Sequence, residues 1–168
     1  MLFEISTIAD VDRLFELYRL AIEFQKKVSD QHWLPFERSL VEKEISEHRQ
    51  YKIIIDGHIA CIFCLAWNDP LIWGDKDKEP SVYIHRIVTD PAFRGRNFVS
   101  EIVKWASSFC RENNRHYLRM DTWGDNNKLR EYYTRCGFTF LGVVTPANPH
   151  LLPAHYSSIT LGLFQITV

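Results

Sequence analysis

Two segments and one cysteine pair carry residue types and spacings able to do chemistry. In the first, IHRIVTDPAFRGRNFVSEIVKWA, an apolar run stops at Asp90-Pro91, and Arg94-Gly95-Arg96-Asn97 then leads straight into a helical pattern. A helix opening after a tight basic turn presents unpaired backbone N–H groups and the positive end of its dipole. With Arg94 and Arg96 beside it, such an end suits a phosphate or pyrophosphate. The plainer account is an ordinary turn at Gly95 with solvated arginines. In the second segment, LRMDTWGDNNKLREYYTRCGF, residues Leu129, Tyr132, Tyr133 and Cys136 fall at i, i+3, i+4 and i+7 and so bury one helix face. Here the plainer account makes both tyrosines core and Asn126 an N-cap.

Cys61 and Cys64 form a CxxC pair inside a strand-like run, where positions i and i+3 point to opposite faces. Without a second ligand pair at zinc-finger spacing, no metal or redox role is expected of them. The four cysteines are too few and too scattered for a disulfide scaffold, which implies a reducing compartment and a cytoplasmic protein.

The elements that must position these residues follow from periodicity. Strands are expected at residues 3–8, 51–55, 58–67, 81–89, 117–122, 138–144 and 156–166, with a hairpin turn at Asp56-Gly57. Helices are expected from an N-cap at Asp10 to about Lys27, around Leu40, Val41 and Ile45, from the Arg94–Asn97 turn to about Arg111, and over residues 126–136, where Gly137 closes the last one. Residues 68–80 read as a polar surface loop, and a proline-bearing loop precedes the last strand. The expected architecture is a single α/β (α+β) domain over residues 1–168, with a mixed, mostly antiparallel sheet of about seven strands flanked by about four helices.

Composition limits the partners. The chain has 168 residues and a formal net charge of −1, which supplies no field to draw in nucleic acid or an anionic membrane. Its longest apolar run, residues 59–67, is far short of the ~20 residues that span a bilayer. Locally the balance differs: between His85 and Asn97 the bases Arg86, Arg94 and Arg96 face one acid, Asp90. Aromatic residues make up 14% of the chain, most of them expected in the core.

Taken together, the two segments resemble the GCN5-related N-acetyltransferase (GNAT) superfamily, over roughly residues 83–140. That family's cofactor motif, Gln/Arg-x-x-Gly-x-Gly/Ala, is met in part: Arg94 takes its first position, while Asn97 stands where the family has Gly and Val99 where it has Gly or Ala. Its second motif, Asn-x-x-apolar-x-x-apolar-Tyr-x-x-x-Gly-Phe, is matched throughout by Asn126, Leu129, Tyr132, Tyr133, Gly137 and Phe138.

The resemblance implies an acetyl-CoA-dependent N-acetyltransferase that acts by direct attack of a primary amine, of a small molecule or a peptide, on the thioester. It assigns the pyrophosphate to the backbone of Arg94, Gly95, Arg96, Asn97 and Phe98, and the pantetheine to the strand edge at Ile87 and Val88. The backbone of that strand would polarise the thioester carbonyl. Tyr133 takes the place of the general acid, and Asn126 would contact the cofactor or its ordered water. An alkyl amine of pKa ~10.4 also needs a base. His85, nine residues before Arg94, holds the strand position where family members place a catalytic His or Glu, with Tyr83 as the alternative on the same strand. By the same analogy the acceptor pocket involves residues 31–36 with Trp33, residues 145–155, and Trp123. Two other readings stay open: a non-catalytic acyl-CoA-binding module, which Asn97 and Val99 favour, and an acetyltransferase of protein lysines or N-termini. A monomer or a homodimer fits either.

Overall fold

The computed structural model describes residues 1–124, 126–146, 148–152 and 160–168. Seven strands, β1 (Leu2–Ile5), β2 (Gln50–Ile55), β3 (His58–Ala66), β4 (Ser81–Thr89), β5 (Tyr117–Trp123), β6 (Thr139–Val144) and β7 (Leu161–Thr167), form a sheet in the order β1-β2-β3-β4-β5-β7-β6. Five helices accompany them: α1 (Val11–Val28), α2 (Arg38–Ser46), α3 (Pro70–Trp73), α4 (Phe98–Glu112) and α5 (Asn127–Arg135). The mixed, mostly antiparallel α/β architecture expected from periodicity is the one observed.

The chain divides into two compact units. The first holds Met1–Leu65 and Arg86–Arg96. Here β1, β2 and β3 pair antiparallel, and Asp56 (φ 50°) and Gly57 (φ 78°) both take the left-handed conformation that a two-residue hairpin turn needs. Val11, Leu14, Leu17 and Tyr18 of α1 and Val41 and Ile45 of α2 close over Ile62 and Val88. Asp10 is the N-cap of α1, as expected, but its carboxylate makes no capping bond there: it accepts from the Thr7 N–H at 2.7 Å and pairs with Lys52 Nζ at 2.8 Å. That turn, a 3-10 helix over Ile8–Asp10, ends the first strand earlier than expected.

The second unit holds Ala66–His85 and Asn97–Val168. Strand β7 pairs antiparallel with β5 over its full length and with β6 on its other side. Strands β4 and β5 are parallel, and their pairing spans only Ser81–Tyr83 against Tyr117–Arg119. The stretch read as a plain surface loop is folded: Asp69 precedes a one-turn helix begun by Pro70, a 3-10 turn follows over Gly74–Lys78, and Ile72 and Trp73 are buried. Proline at a first helical position fits this geometry, and four residues are too few to show a helical period. Ile72 and Trp73 pack with Tyr83, Leu161 and Leu163. Strand β7 is seen from Leu161; the expected start at Tyr156 lies outside the described residues.

Candidate active site

The loop before α4 runs over Arg94, Gly95, Arg96 and Asn97. Gly95 (φ 81°) and Asn97 (φ 54°, ψ 39°) are both left-handed, so asparagine supplies the conformation that a glycine would otherwise provide. Arg94, Gly95, Arg96 and Asn97 are all exposed, and a side chain at Gly95 would meet nothing within 4 Å. Phe98 and Val99, the first helical residues, are buried. The Ser100 N–H bonds back to the Asn97 carbonyl at 3.1 Å, while first-turn amides such as those of Phe98 and Val99 have no helical acceptor. Of the three arginines, Arg94 lies 4.4 Å from the Phe24 ring centroid and Arg86 is committed elsewhere. Arg86 pairs with Glu44 and covers the Phe36 and Tyr18 rings at 5.0 and 5.6 Å. The basic character of this region therefore rests on Arg94 and Arg96.

Arg86 has a second consequence. It is left-handed (φ 52°) in the middle of β4, which breaks the regular alternation of strand amides just before Ile87 and Val88. Ile87 is half-buried, and the Val88 side chain belongs to the core of the first unit, which leaves its backbone as the part able to meet a ligand.

In the second unit, the β4–β5 register ends at Tyr83 opposite Arg119. Continuing it by two residues puts His85 and Asp121 on the same face, just beyond the last paired residues. Asp69 joins them from the turn before α3, with Oδ2 3.7 Å from His85 Nε2. The ligand atoms of Asp69, His85 and Asp121 all lie within 4.8 Å of one another. Burial, then the charges of Asp121 and Asp77, push the Asp69 carboxyl up to about 8. Burial likewise pushes Asp121 up to about 7. Neither carboxylate belongs to a sequence motif, and only a register drawn between two distant strands would reveal them.

Tyr133 sits half-buried on α5, its ring edge-on to Phe138 and Phe164 at 6.4 and 5.4 Å. Burial, followed by its neighbours Tyr132, Cys136 and Asp121, raises its pKa well above that of an ordinary phenol. Asn126 is the N-cap of α5, and its Oδ1 accepts from the Leu129 N–H at 3.0 Å. Its capping role is thus real, and its amide nitrogen remains for a ligand. Ser100 Oγ reaches Cys136 Sγ at 3.5 Å and ties the start of α4 to the end of α5.

The aromatic candidates are placed differently. Tyr83 is fully buried, its ring tilted against Trp73 with centroids 5.5 Å apart, and its hydroxyl is 3.3 Å from Arg119 Nη1. Trp123 ends β5 and packs partly buried on the cluster of Ile72, Trp73 and Tyr83. Trp33 belongs to the other unit, against Phe36 at 5.6 Å, its N–H held by Gln25 Oε1 at 2.8 Å. Of residues 145–155, those from 153 on and Ala147 lie outside the described residues. Cys61 and Cys64 are buried free thiols pushed up to about 12 and about 11, which keeps them protonated and unreactive.

A family model described as the acetyltransferase (GNAT) family matches residues 11–138. The chain belongs to the GNAT family. The matched stretch of this GNAT chain includes the Arg94 loop, His85, Asp69, Asp121 and Tyr133. Over 74 residues it is 30% identical to the uncharacterized N-acetyltransferase YesJ of Bacillus subtilis, a match spanning 44% of this chain and 41% of YesJ. Its fold is that of a GNAT acetyltransferase from Listeria monocytogenes, with TM-score 0.81, 19% identity, and 99% and 94% of the two chains covered. It is also that of yncA from Salmonella typhimurium, a structure containing its cofactor acetyl-CoA, with TM-score 0.70, 12% identity, and 99% and 93% covered. Among the described residues no helix is long and apolar enough to cross a membrane.

Proposed function

We propose that this GNAT chain transfers an acetyl group from acetyl-CoA to a primary amine of a small molecule or peptide. The observation that carries the reading is the exposed Arg94–Asn97 turn, left-handed at Gly95 and Asn97 and leading into the α4 N-terminus, on the same chain as the complete Asn126–Phe138 motif. The family model runs through both compact units, which supports treating them as one catalytic domain. Four free thiols, three of them buried, suit a reducing compartment and hence the cytoplasm.

The residues present fit the cofactor. The amides and side chains around Arg94, Gly95, Arg96, Asn97 and Phe98 would hold the pyrophosphate. The left-handed Arg86 interrupts β4 just before Ile87 and Val88, which supports pantetheine lying along their backbone. Acetyl-CoA supplies the acetyl group in activated form, as a thioester. The broken alternation at Arg86 supports the Ile87 and Val88 amides as donors to its carbonyl. His85 accepts a proton from the incoming ammonium, which gives the neutral nitrogen that forms the C–N bond. Tyr133 stays protonated at neutral pH because its pKa is raised, so its hydroxyl is always a donor. As the general acid, Tyr133 would direct this hydroxyl at the departing sulfur, to protonate it or to hydrogen-bond it.

Calorimetric titration with acetyl-CoA followed by a thiol-release assay across small amines and peptides tests the reading. Binding with thiol release is expected. Binding without release on any amine would favour a non-catalytic acyl-CoA module, and no binding would remove the reading altogether.

A further inference from the structure

We propose that Asp69 is the positioning residue of His85, holding its imidazole with Nε2–H toward Oδ2 so that Nδ1 is the atom that takes the amine proton. The inference rests on His85 being the base and adds which carboxylate aims it and which nitrogen works.

Geometry supplies the pairing. Asp69 Oδ2 is 3.7 Å from His85 Nε2, and this oxygen is buried with no hydrogen-bond donor among the described residues. A buried carboxylate oxygen needs a donor, and the facing imidazole N–H is the one at hand. Such contacts run long before a substrate is bound and shorten in the complex. The carboxylate is also held in place. The Asp69 N–H donates to Asp77 Oδ1 at 2.6 Å, and its carbonyl accepts from the Trp73 N–H at 2.9 Å. The same loop is fixed to β5 through Arg119, which bonds the Lys76 carbonyl at 2.6 Å and pairs with Glu79. Asp69 therefore approaches His85 from a rigid turn, as an orienting group must.

The charged and titratable groups around Asp69 are His85 on β4, Asp121 on β5 and Asp77 in the turn after α3. Burial and the charges of Asp121 and Asp77 keep the Asp69 carboxyl protonated up to about pH 8, so its effect on His85 grows as pH rises through that range: once ionised, it favours the imidazolium and makes His85 a stronger base. The proton balance is complete. On the way to an amide, the ammonium nitrogen gives up two protons: one to His85 Nδ1 before attack and one after the C–N bond forms and the C–S bond breaks. One of these ends on the departing sulfur of the thioester named above, the other in solvent.

The test uses the full-length 15N-labelled chain. Long-range 15N–1H correlation spectra, assigned by the loss of signals in His85→Gln, report the tautomer directly. Above pH 8, where Asp69 is ionised, the neutral ring is expected with hydrogen on Nε2; hydrogen on Nδ1 there overturns the proposal without needing any Asp69 variant to fold. In the thiol-release assay Asp69→Asn should lower kcat roughly tenfold, with KM for acetyl-CoA within about twofold. Added to His85→Gln it should cost nothing further; additive losses show that Asp69 does not act through His85. If the wild-type chain releases no thiol while the Nε2–H tautomer is found, acetyl transfer fails and the pairing of Asp69 with His85 stands.

Discussion

Arg119 Nη1 donates a 2.6 Å hydrogen bond to the carbonyl of Lys76, joining the middle of β5 to the turn after α3. Arg119 is fully buried, and its charge is satisfied by Gln165 Oε1 at 2.8 Å, by Glu79, and by the Trp73 and Tyr117 rings at 4.8 and 4.7 Å. A guanidinium so deep is tolerated only with such partners. The bond therefore fixes the segment that carries Asp69.

Arg119→Met keeps much of the volume and removes the donors. It leaves the Lys76 carbonyl and Gln165 without their partner, while Glu79, half exposed, recovers water. The expected loss is about 3 kcal/mol in urea unfolding, with faster amide exchange over residues 69–79. A loss under about 1 kcal/mol would show that the turn holds itself.

Tyr133→Phe keeps the ring contacts with Phe138 and Phe164 and removes only the hydroxyl. If that hydroxyl donates to the leaving sulfur, one charge-assisted hydrogen bond is lost. Turnover should fall about 10- to 100-fold with acetyl-CoA affinity nearly unchanged. Unchanged turnover takes the role away from Tyr133.

Much of this was legible because it is local. The Asn126–Phe138 motif, the Asp56-Gly57 hairpin and the Arg94–Asn97 turn each lie within one short stretch, so residue order alone specifies them. Asp69 and Asp121 escaped because they meet His85 only through the parallel register of β4 with β5 and the turn before α3, which no single stretch encodes. Arg86 reads as part of a basic loop, yet its partner Glu44 lies 42 residues away. Tyr83 reads as an alternative to His85 on the same strand, but strand alternation cannot distinguish a face that lines a cleft from one covered by Trp73.

Asn97 tests the loop. Its left-handed backbone suits asparagine or glycine and costs a β-branched residue roughly 1–2 kcal/mol. Asn97→Gly should bind acetyl-CoA as the wild type does, and Asn97→Val should bind it about tenfold more weakly, measured by calorimetry. Equal binding by the valine variant would mean that this turn does not cradle the pyrophosphate.

The two raised carboxyls make a pH prediction independent of activity. Both titrate near 3.9 in an unfolded chain. In the folded chain burial holds Asp121 protonated to about 7, and burial with the charges of Asp121 and Asp77 holds Asp69 to about 8. Between these limits the folded state binds more protons than the unfolded one. Their contribution therefore favours folding most at the acid end and declines as pH rises, by up to about 1.4 kcal/mol per pH unit for each group, before levelling above about pH 8. Asp121→Asn is neutral at every pH and loses its share of that decline. It also relieves Asp69 of a like charge. Other carboxylates titrate in both proteins, so the difference between the two stability curves is the quantity to read. The variant should match the wild type near pH 4 and exceed it by at least about 1 kcal/mol at pH 8. A variant less stable than the wild type at pH 8 would show that Asp121 is ionised and supported in the folded chain, and that the face it shares with His85 carries a full negative charge at neutral pH.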